Sequence, residues 1–264
     1  MGIRKDKNVQ IKRFGPYRIV EHWVNAILFG VLVLTGLPQK FHNYELSQWI
    51  ILGMGGIESV RMIHRVCGLC LTLLLAQHIV TATLGVLLYK WRPSIFINEK
   101  DFQDNLQNLR YYLKLRKTPA SCDRFDYRQK FEYWGVVVGG LLMGATGLTL
   151  WFPTIVARFV PAMVVPNARA LHTNEAMLAF LVIIIWHMYH AIFSPEVFPL
   201  DTVMFTGKIS RKRMVHEHPL ELARMEGKSL EEIVGPEPEQ GRYAPHGKEA
   251  LQPGPCLVKK EIEE

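Results

Sequence analysis

The chain has 264 residues, 49% of them hydrophobic and 21% charged, with a net charge of +7. These averages hide long apolar runs separated by strongly basic connectors, so the positive balance is a membrane-topology signal and not a nucleic-acid one. No glycine-rich dinucleotide fingerprint, nucleophile triad or phosphate loop is present, which argues against a self-contained soluble catalytic domain.

Residues 1–18 form a basic arm, expected in the cytoplasm, whose Gly15-Pro16 breaks structure before the first apolar run. That run, about Ile19–Leu37, carries His22 and Trp23; it is long, with no small-residue cleavage site after it, so it reads as a retained span. NYELSQWIILG, residues 43–53, predicts a short amphipathic piece on the outer surface, and Gly55-Gly56 turns the chain into the second run, about Ile63–Tyr89. Between Lys90 and Lys130, Phe102, Leu106, Leu109 and Leu113 recur at helical spacing, predicting a cytoplasmic amphipathic helix over Asp101–Leu115. The third and fourth runs are about Tyr133–Phe152 and Leu171–Phe193. Each of the four meets the need for about 20 mostly apolar residues to cross a core of about 30 Å. A polar segment follows over 194–234, where His216 and His218 are expected on the surface. The stretch 235–264 is rich in Pro, Glu and Gly and is expected to be disordered without a partner.

The arm, the second connector and the tail hold 26 of the 31 Lys and Arg residues, so the positive-inside rule assigns both termini to the cytoplasm. Cys67 and Cys70 form a C-x-x-C with no histidine after Cys70, which excludes covalent haem attachment by pattern; small packing residues are the better reading. Cys122 and Cys256 fall in segments expected to face a reducing cytoplasm.

Imidazoles within apolar spans are costly unless they have partners. His64 and His78 are fourteen residues apart, about 21 Å of helix with some 40° of rotation; His172 and His187 are fifteen apart, about 22 Å and roughly 60°. Two such helices side by side would set His64 opposite His172 and His78 opposite His187. Facing imidazoles can hold a haem iron from both axial sides, and two stacked haems make an electron path across the membrane. The rival readings are a haem-free, histidine-using proton-coupled transporter and a haem-containing anchor without a quinone pocket.

An internal repeat runs through the four spans. Glu21-His22-Trp23 and Thr35-Gly36-Leu37 match Glu132-Tyr133-Trp134 and Thr146-Gly147-Leu148 at the same spacing, and Arg61-x-x-His64 matches Arg169-x-x-His172. A pseudo-twofold bundle built this way pairs His64 with His172 and His78 with His187, leaving His22 over.

Taken together, His22-Trp23 with Thr35-Gly36, His64 with Gly68, Gln129-Lys130 before Trp134, Thr146-Gly147, His172, His187-Met188-Tyr189, Gly207-Lys208-Ile209-Ser210 and His218-Pro219 resemble the cytochrome b (gamma) subunit of respiratory formate dehydrogenase and the related hydrogenase and thiosulfate reductase subunits. The likeness covers roughly residues 10–225. It implies an all-α, integral membrane four-helix bundle over 19–193 in the cytoplasmic membrane of a bacterium or archaeon. It also implies two b-type haems inside the bundle, an iron–sulfur or multihaem redox subunit as partner in a hetero-oligomeric complex, and membrane quinone as electron acceptor or donor. By the resemblance His64 and His172 hold the outer haem iron, and His22 with His187 the cytoplasmic one, so His78, favoured by the repeat, is the rival of His22. The resemblance puts a quinone pocket near Asp126, Gln129, Lys130 and the fourth span. Asp126 and Arg128 stand where formate dehydrogenase members carry Asn and Gly. Asp126 or His190 would handle the protons of quinone chemistry, while a surface pair of Asp126 with Arg124 or Arg128 is the plainer reading.

Overall fold

The computed structural model of the chain describes residues 9–235. Within them, residues 11–95 and 128–209 make one compact unit, and residues 96–127 and 210–235 make another together with residues 9 and 10.

The first unit is built on four helices long and apolar enough to cross a membrane. After a short strand β1 (Gln10–Lys12), helix α1 (Pro16–Lys40) opens on Pro16, whose fixed φ suits a first helical turn. Helix α2 (Glu45–Gly53) follows. Gly55 and Gly56, at φ of 88° and 92°, then reverse the chain through a region that side chains disfavour and deliver it into α3 (Ile57–Leu87). Helix α1 packs along α3, and α2 lies against both.

The remaining spanning helices differ in detail. The second unit contributes α4, Glu99–Tyr112, to the chain order; α5 (Tyr127–Trp151), a single turn α6 (Pro153–Val156) and α7 (Val164–Leu181) then follow. Helix α7 continues without a break as π-helix over Val182–His187 and Tyr189–Phe193, where Met188 N–H donates to the Ile183 carbonyl and Ser194 N–H to that of Tyr189. These wide turns take up extra residues, a local accommodation that straight α-helix does not offer. A Cβ on Gly140 would lie 2.8 Å from Leu75 Cδ2, and one on Gly144 would lie 2.9 Å from Thr72 Cγ2, so small residues let α5 approach α3 closely.

All four helices begin before the apolar runs read from the sequence, because backbone hydrogen bonding does not start where apolar composition does, whereas α3 and α5 stop short of the expected ends at Tyr89 and Phe152. Large apolar side chains such as Ile27, Leu34, Leu73, Val138 and Ile185 point outward and are exposed, the pattern of a surface made for lipid. The departure from a purely helical architecture is β1 pairing with β2 (Lys208–Ser210), which follows the one-turn helix α8 (Val203–Thr206). There the Gly207 carbonyl accepts from the N–H groups of Arg13 and Phe14 at 2.8 and 3.1 Å.

In the second unit, α4 starts earlier than its apolar spacing predicts because Asn98 and Asp101 form a reciprocal capping box, with bonds of 3.2 and 2.8 Å. Its apolar stripe of Phe102, Leu106 and Leu109, with Leu113 just beyond, is exposed, as an amphipathic surface helix requires. Helices α9 (Arg211–Glu217), α10 (Pro219–Glu226) and α11 (Leu230–Val234) gather Met214, Leu222, Ala223 and Ile233 into a small core. His216 is exposed as expected, but His218 is not a surface residue: it is 2% exposed, and its Nδ1 bonds the Asp123 carbonyl at 2.7 Å. The turn from α9 into α10 at Pro219 drives it inward, against the connector at Asp123. Residues 1–8 of the basic arm, and the tail read as disordered beyond Gly235, lie outside the described residues.

Candidate cofactor site

The repeated Thr-Gly of α1 and α5 builds the first histidine pair. Thr35, fully buried, donates its hydroxyl hydrogen to the Val31 carbonyl at 2.8 Å, the usual use of a helical threonine. Its oxygen is thereby left to accept from His64 Nδ1, also at 2.8 Å. Thr146 repeats this in α5, donating to the Leu142 carbonyl at 2.7 Å and meeting His172 Nδ1 at 2.9 Å. Each bond puts the ring hydrogen on Nδ1 and leaves the Nε2 lone pair free. Gly36 and Gly147 make room for the same two rings: a Cβ there would lie 3.2 Å from His64 Cε1 and 3.3 Å from His172 Cε1. The two rings face one another with centroids 6.3 Å apart.

A second pair lies at the other end of the spans. His22 of α1 and His187 of the π-helical stretch have ring centroids 6.2 Å apart. His187 Nδ1 meets Glu132 Oε1 at 2.5 Å, so Nε2 is again the nitrogen left for a ligand. His22 Nδ1 is buried and has no hydrogen-bond partner among the described residues. The extra residue between His172 and His187, relative to His64 and His78, falls where the helix is π-wound, which is how a fifteen-residue spacing still delivers both rings to the interior.

His78 has different company. Its Nδ1 meets Glu21 Oε1 at 2.9 Å and Arg18 Nη1 at 3.2 Å, and its Nε2 meets the Tyr133 hydroxyl at 3.0 Å. This is the repeat of the second pair with one ring exchanged: Glu21 stands to His78 as Glu132 stands to His187, and Tyr133 replaces His22. Trp23 and Trp134 complete the correspondence, donating from Nε1 to the Met204 and Ile95 carbonyls at 2.8 and 3.1 Å. With both nitrogens engaged, His78 offers no free lone pair, whereas the sequence repeat alone favoured it over His22.

These distances bear on what the pairs can hold. Two imidazole nitrogens each about 2 Å from one metal ion, with each ring centre roughly 1 Å farther out, put the centroids about 6 Å apart. Both pairs meet that separation, and a ring whose other nitrogen is anchored by an acceptor is the usual form of a metal-binding histidine. Among the described residues no three or more His, Cys, Asp or Glu side chains converge as a metal site, so the imidazoles meet in twos, as axial ligation of a flat macrocycle requires.

The residues singled out for quinone are less concentrated. Arg128 Nη1 lies 3.4 Å from His190 Nε2, and His190 Nδ1 bonds the Trp186 carbonyl at 2.8 Å. Lys130 is buried and Gln129 exposed. Asp126, taken in the plainer reading as a surface charge, is 8% exposed, and Arg124 pairs with Glu221 at 2.9 Å. Cys67 and Cys70 are free thiols. The residues that sequence reasoning did not assign to the site are Thr35, Thr146 and Glu132; all three stood inside the repeat, which was their only signal.

The chain is 24% identical over 201 residues to the cytochrome b556(Fdn) subunit of nitrate-inducible formate dehydrogenase from Escherichia coli strain K12, covering 75% of this chain and 83% of that one. The same figures hold for the corresponding subunits of Escherichia coli O157:H7 and Shigella flexneri. Residues 13–207, which contain His22, His64, His78, His172 and His187, match the family described as prokaryotic cytochrome b561. Four apolar helices, facing imidazoles and this match agree: the chain belongs to the prokaryotic cytochrome b561 family of membrane haem proteins.

Proposed function

We propose that this chain binds two b-type haems, one between His64 and His172 and one between His22 and His187, and carries electrons between a partner redox subunit and the membrane quinone pool. The observation that carries this reading is the pair of imidazole separations, 6.3 and 6.2 Å, each with a ring nitrogen left free for iron. When bound, haem supplies reversible one-electron chemistry; the chain supplies axial ligation, burial and spacing. Thr35, Thr146 and Glu132 hold three of the four rings with Nε2 inward. His78 serves in a hydrogen-bonded network with Glu21, Arg18 and Tyr133 and not as a ligand.

In this proposal both termini are cytoplasmic, residues 19–193 form the bundle, α4 lies on the cytoplasmic side, and 194–234 form a polar cytoplasmic segment ahead of the tail. The charge distribution supports that orientation in the cytoplasmic membrane of a prokaryote. The partner is an iron–sulfur or multihaem subunit, a reading supported by the likeness to a formate dehydrogenase subunit. Quinone is taken up near Arg128, Gln129, Lys130 and His190, with Asp126 a further candidate. Two electrons and two protons convert quinone to quinol, and His190 is the group suited to hold a proton there. Family membership sets aside the haem-free transporter. An anchor without a quinone pocket is separated by following reoxidation of the reduced haems by a short-chain quinone. Electron delivery to quinone requires that reoxidation to be blocked by a quinone analogue and slowed in His190→Ala. Reoxidation insensitive to both would leave only the anchor.

A further inference from the structure

Glu21 and Glu132 occupy equivalent places in the repeat, and each carboxylate reaches the Nδ1 of a histidine on a neighbouring helix, at 2.9 and 2.5 Å. Only one of those histidines faces a second imidazole. His78 faces the Tyr133 hydroxyl, whereas His187 faces His22. The four rings of the two pairs therefore have unequal support. His64 and His172 are held by neutral hydroxyls at 2.8 and 2.9 Å, His22 Nδ1 meets no acceptor, and His187 alone is held by a carboxylate.

That inequality has an electronic consequence. A carboxylate pulls the Nδ1 hydrogen farther than a neutral hydroxyl does, in a short charge-assisted bond, and leaves more negative charge on Nε2. A more negative axial donor favours ferric over ferrous iron, because hydrogen bonding at the ligand and net charge near it set the potential of a haem. We propose that Glu132 is a positioning and tuning residue that acts through His187, making the haem of the His22–His187 pair the lower in potential of the two. The two pairs thus differ in their acceptors, a neutral hydroxyl on each ring of one and a carboxylate on a single ring of the other.

This inference rests on the assignment of His187 as a ligand, and the experiment separates the two. The full chain is purified with haem, the haem content is measured, and potentiometric titration is run on the parent protein and on Glu132→Gln, Glu132→Asp and Thr149→Val. Glu132→Gln keeps an oxygen acceptor and removes the charge. The lower of the two midpoints is expected to rise by at least a tenfold change in the ratio of reduced to oxidised iron, about 59 mV for a one-electron couple, while the upper midpoint stays. The near-infrared charge-transfer band of one ferric haem is expected to move to longer wavelength, a change that a loosened fold would not produce selectively. Glu132→Asp, which keeps the charge, should stay nearer the parent. Thr149, bonded to the Ala145 carbonyl and to no histidine, should leave both midpoints in place on conversion to valine. Two haems per chain with both midpoints and both bands unmoved in Glu132→Gln would overturn the inference and leave the ligands standing. Two haems retained in His187→Ala would overturn the assignment beneath it.

Discussion

Thr35 is the sharpest place to perturb the pairs, because it is fully buried and its oxygen serves one ring. Thr35→Val keeps the shape of the side chain and removes the acceptor of His64 Nδ1. A buried N–H left without a partner costs about 1–3 kcal/mol. Independently, loss of an outer partner of a metal-bound histidine weakens the metal by about 10- to 100-fold, which is about 1.4–2.8 kcal/mol. The two routes agree, so one haem, and not both, is expected to leave about 10- to 100-fold faster when an apoprotein acceptor competes for it. Thr35→Ser, which restores the hydroxyl, should return the rate close to that of the parent, and Thr146→Val should weaken the same haem through His172. Loss of haem at the parent rate from Thr35→Val would refute the role given to this hydroxyl and the tautomer inferred from it.

Three further outcomes follow from the same structure. Gly207 sits at φ of 70°, and a Cβ there would come within 2.5 Å of the Phe14 carbonyl oxygen. Gly207→Ala should therefore destabilise the fold by more than the about 1–2 kcal/mol of a left-handed residue alone, read as a lower unfolding temperature; an unchanged temperature would contradict the close approach. Arg211 holds Glu226 through Nε and Nη2, at 2.6 and 2.9 Å, and with Lys228 draws its carboxyl down to about 2. A depressed carboxyl adds stability above its unfolded value of about 4.3 and loses it as pH falls towards the folded value. The stability difference between the parent and Arg211→Ala should thus be present at neutral pH and close as pH falls from about 4 to 2. A difference unchanged at the acid end would contradict it. Asn98→Ala should cost about 1 kcal/mol by removing the cap of α4, read as faster amide exchange in residues 99–103 than at the far end of that helix; equal exchange would argue against the cap.

The sequence disclosed much of this fold for a physical reason. Bilayer thickness demands long apolar runs, and His64, His78, His172 and His187 stand out because imidazoles are rare within them. Choosing between His22 and His78 was harder, since the repeat points one way and the family likeness the other. Tyr133, which stands in the repeat where His22 does, meets His78 in its own half, and the proposed ligand set rests on that contact. What stayed hidden depends on rotation and packing. A fifteen-residue spacing does not announce that Val182–His187 winds as π-helix. Glu132 read as one member of a repeated triplet until its carboxylate was found on His187. His218 looked like a surface residue because its burial depends on a turn between two short helices whose apolar content is too low to signal a core. The burial of Asp126 was hidden for a related reason: nothing in a run of charged and polar residues tells which one the chain will cover.

The central claim is that two pairs of imidazoles, and no others, hold two haems. Haem per chain, measured by pyridine haemochrome on purified protein and on the five single variants His22→Ala, His64→Ala, His78→Ala, His172→Ala and His187→Ala, tests it most directly. The account predicts two haems for the parent and for His78→Ala, and one for each of the other four. A parent with a single haem, or a His78→Ala variant that loses one while His22→Ala keeps both, would contradict it.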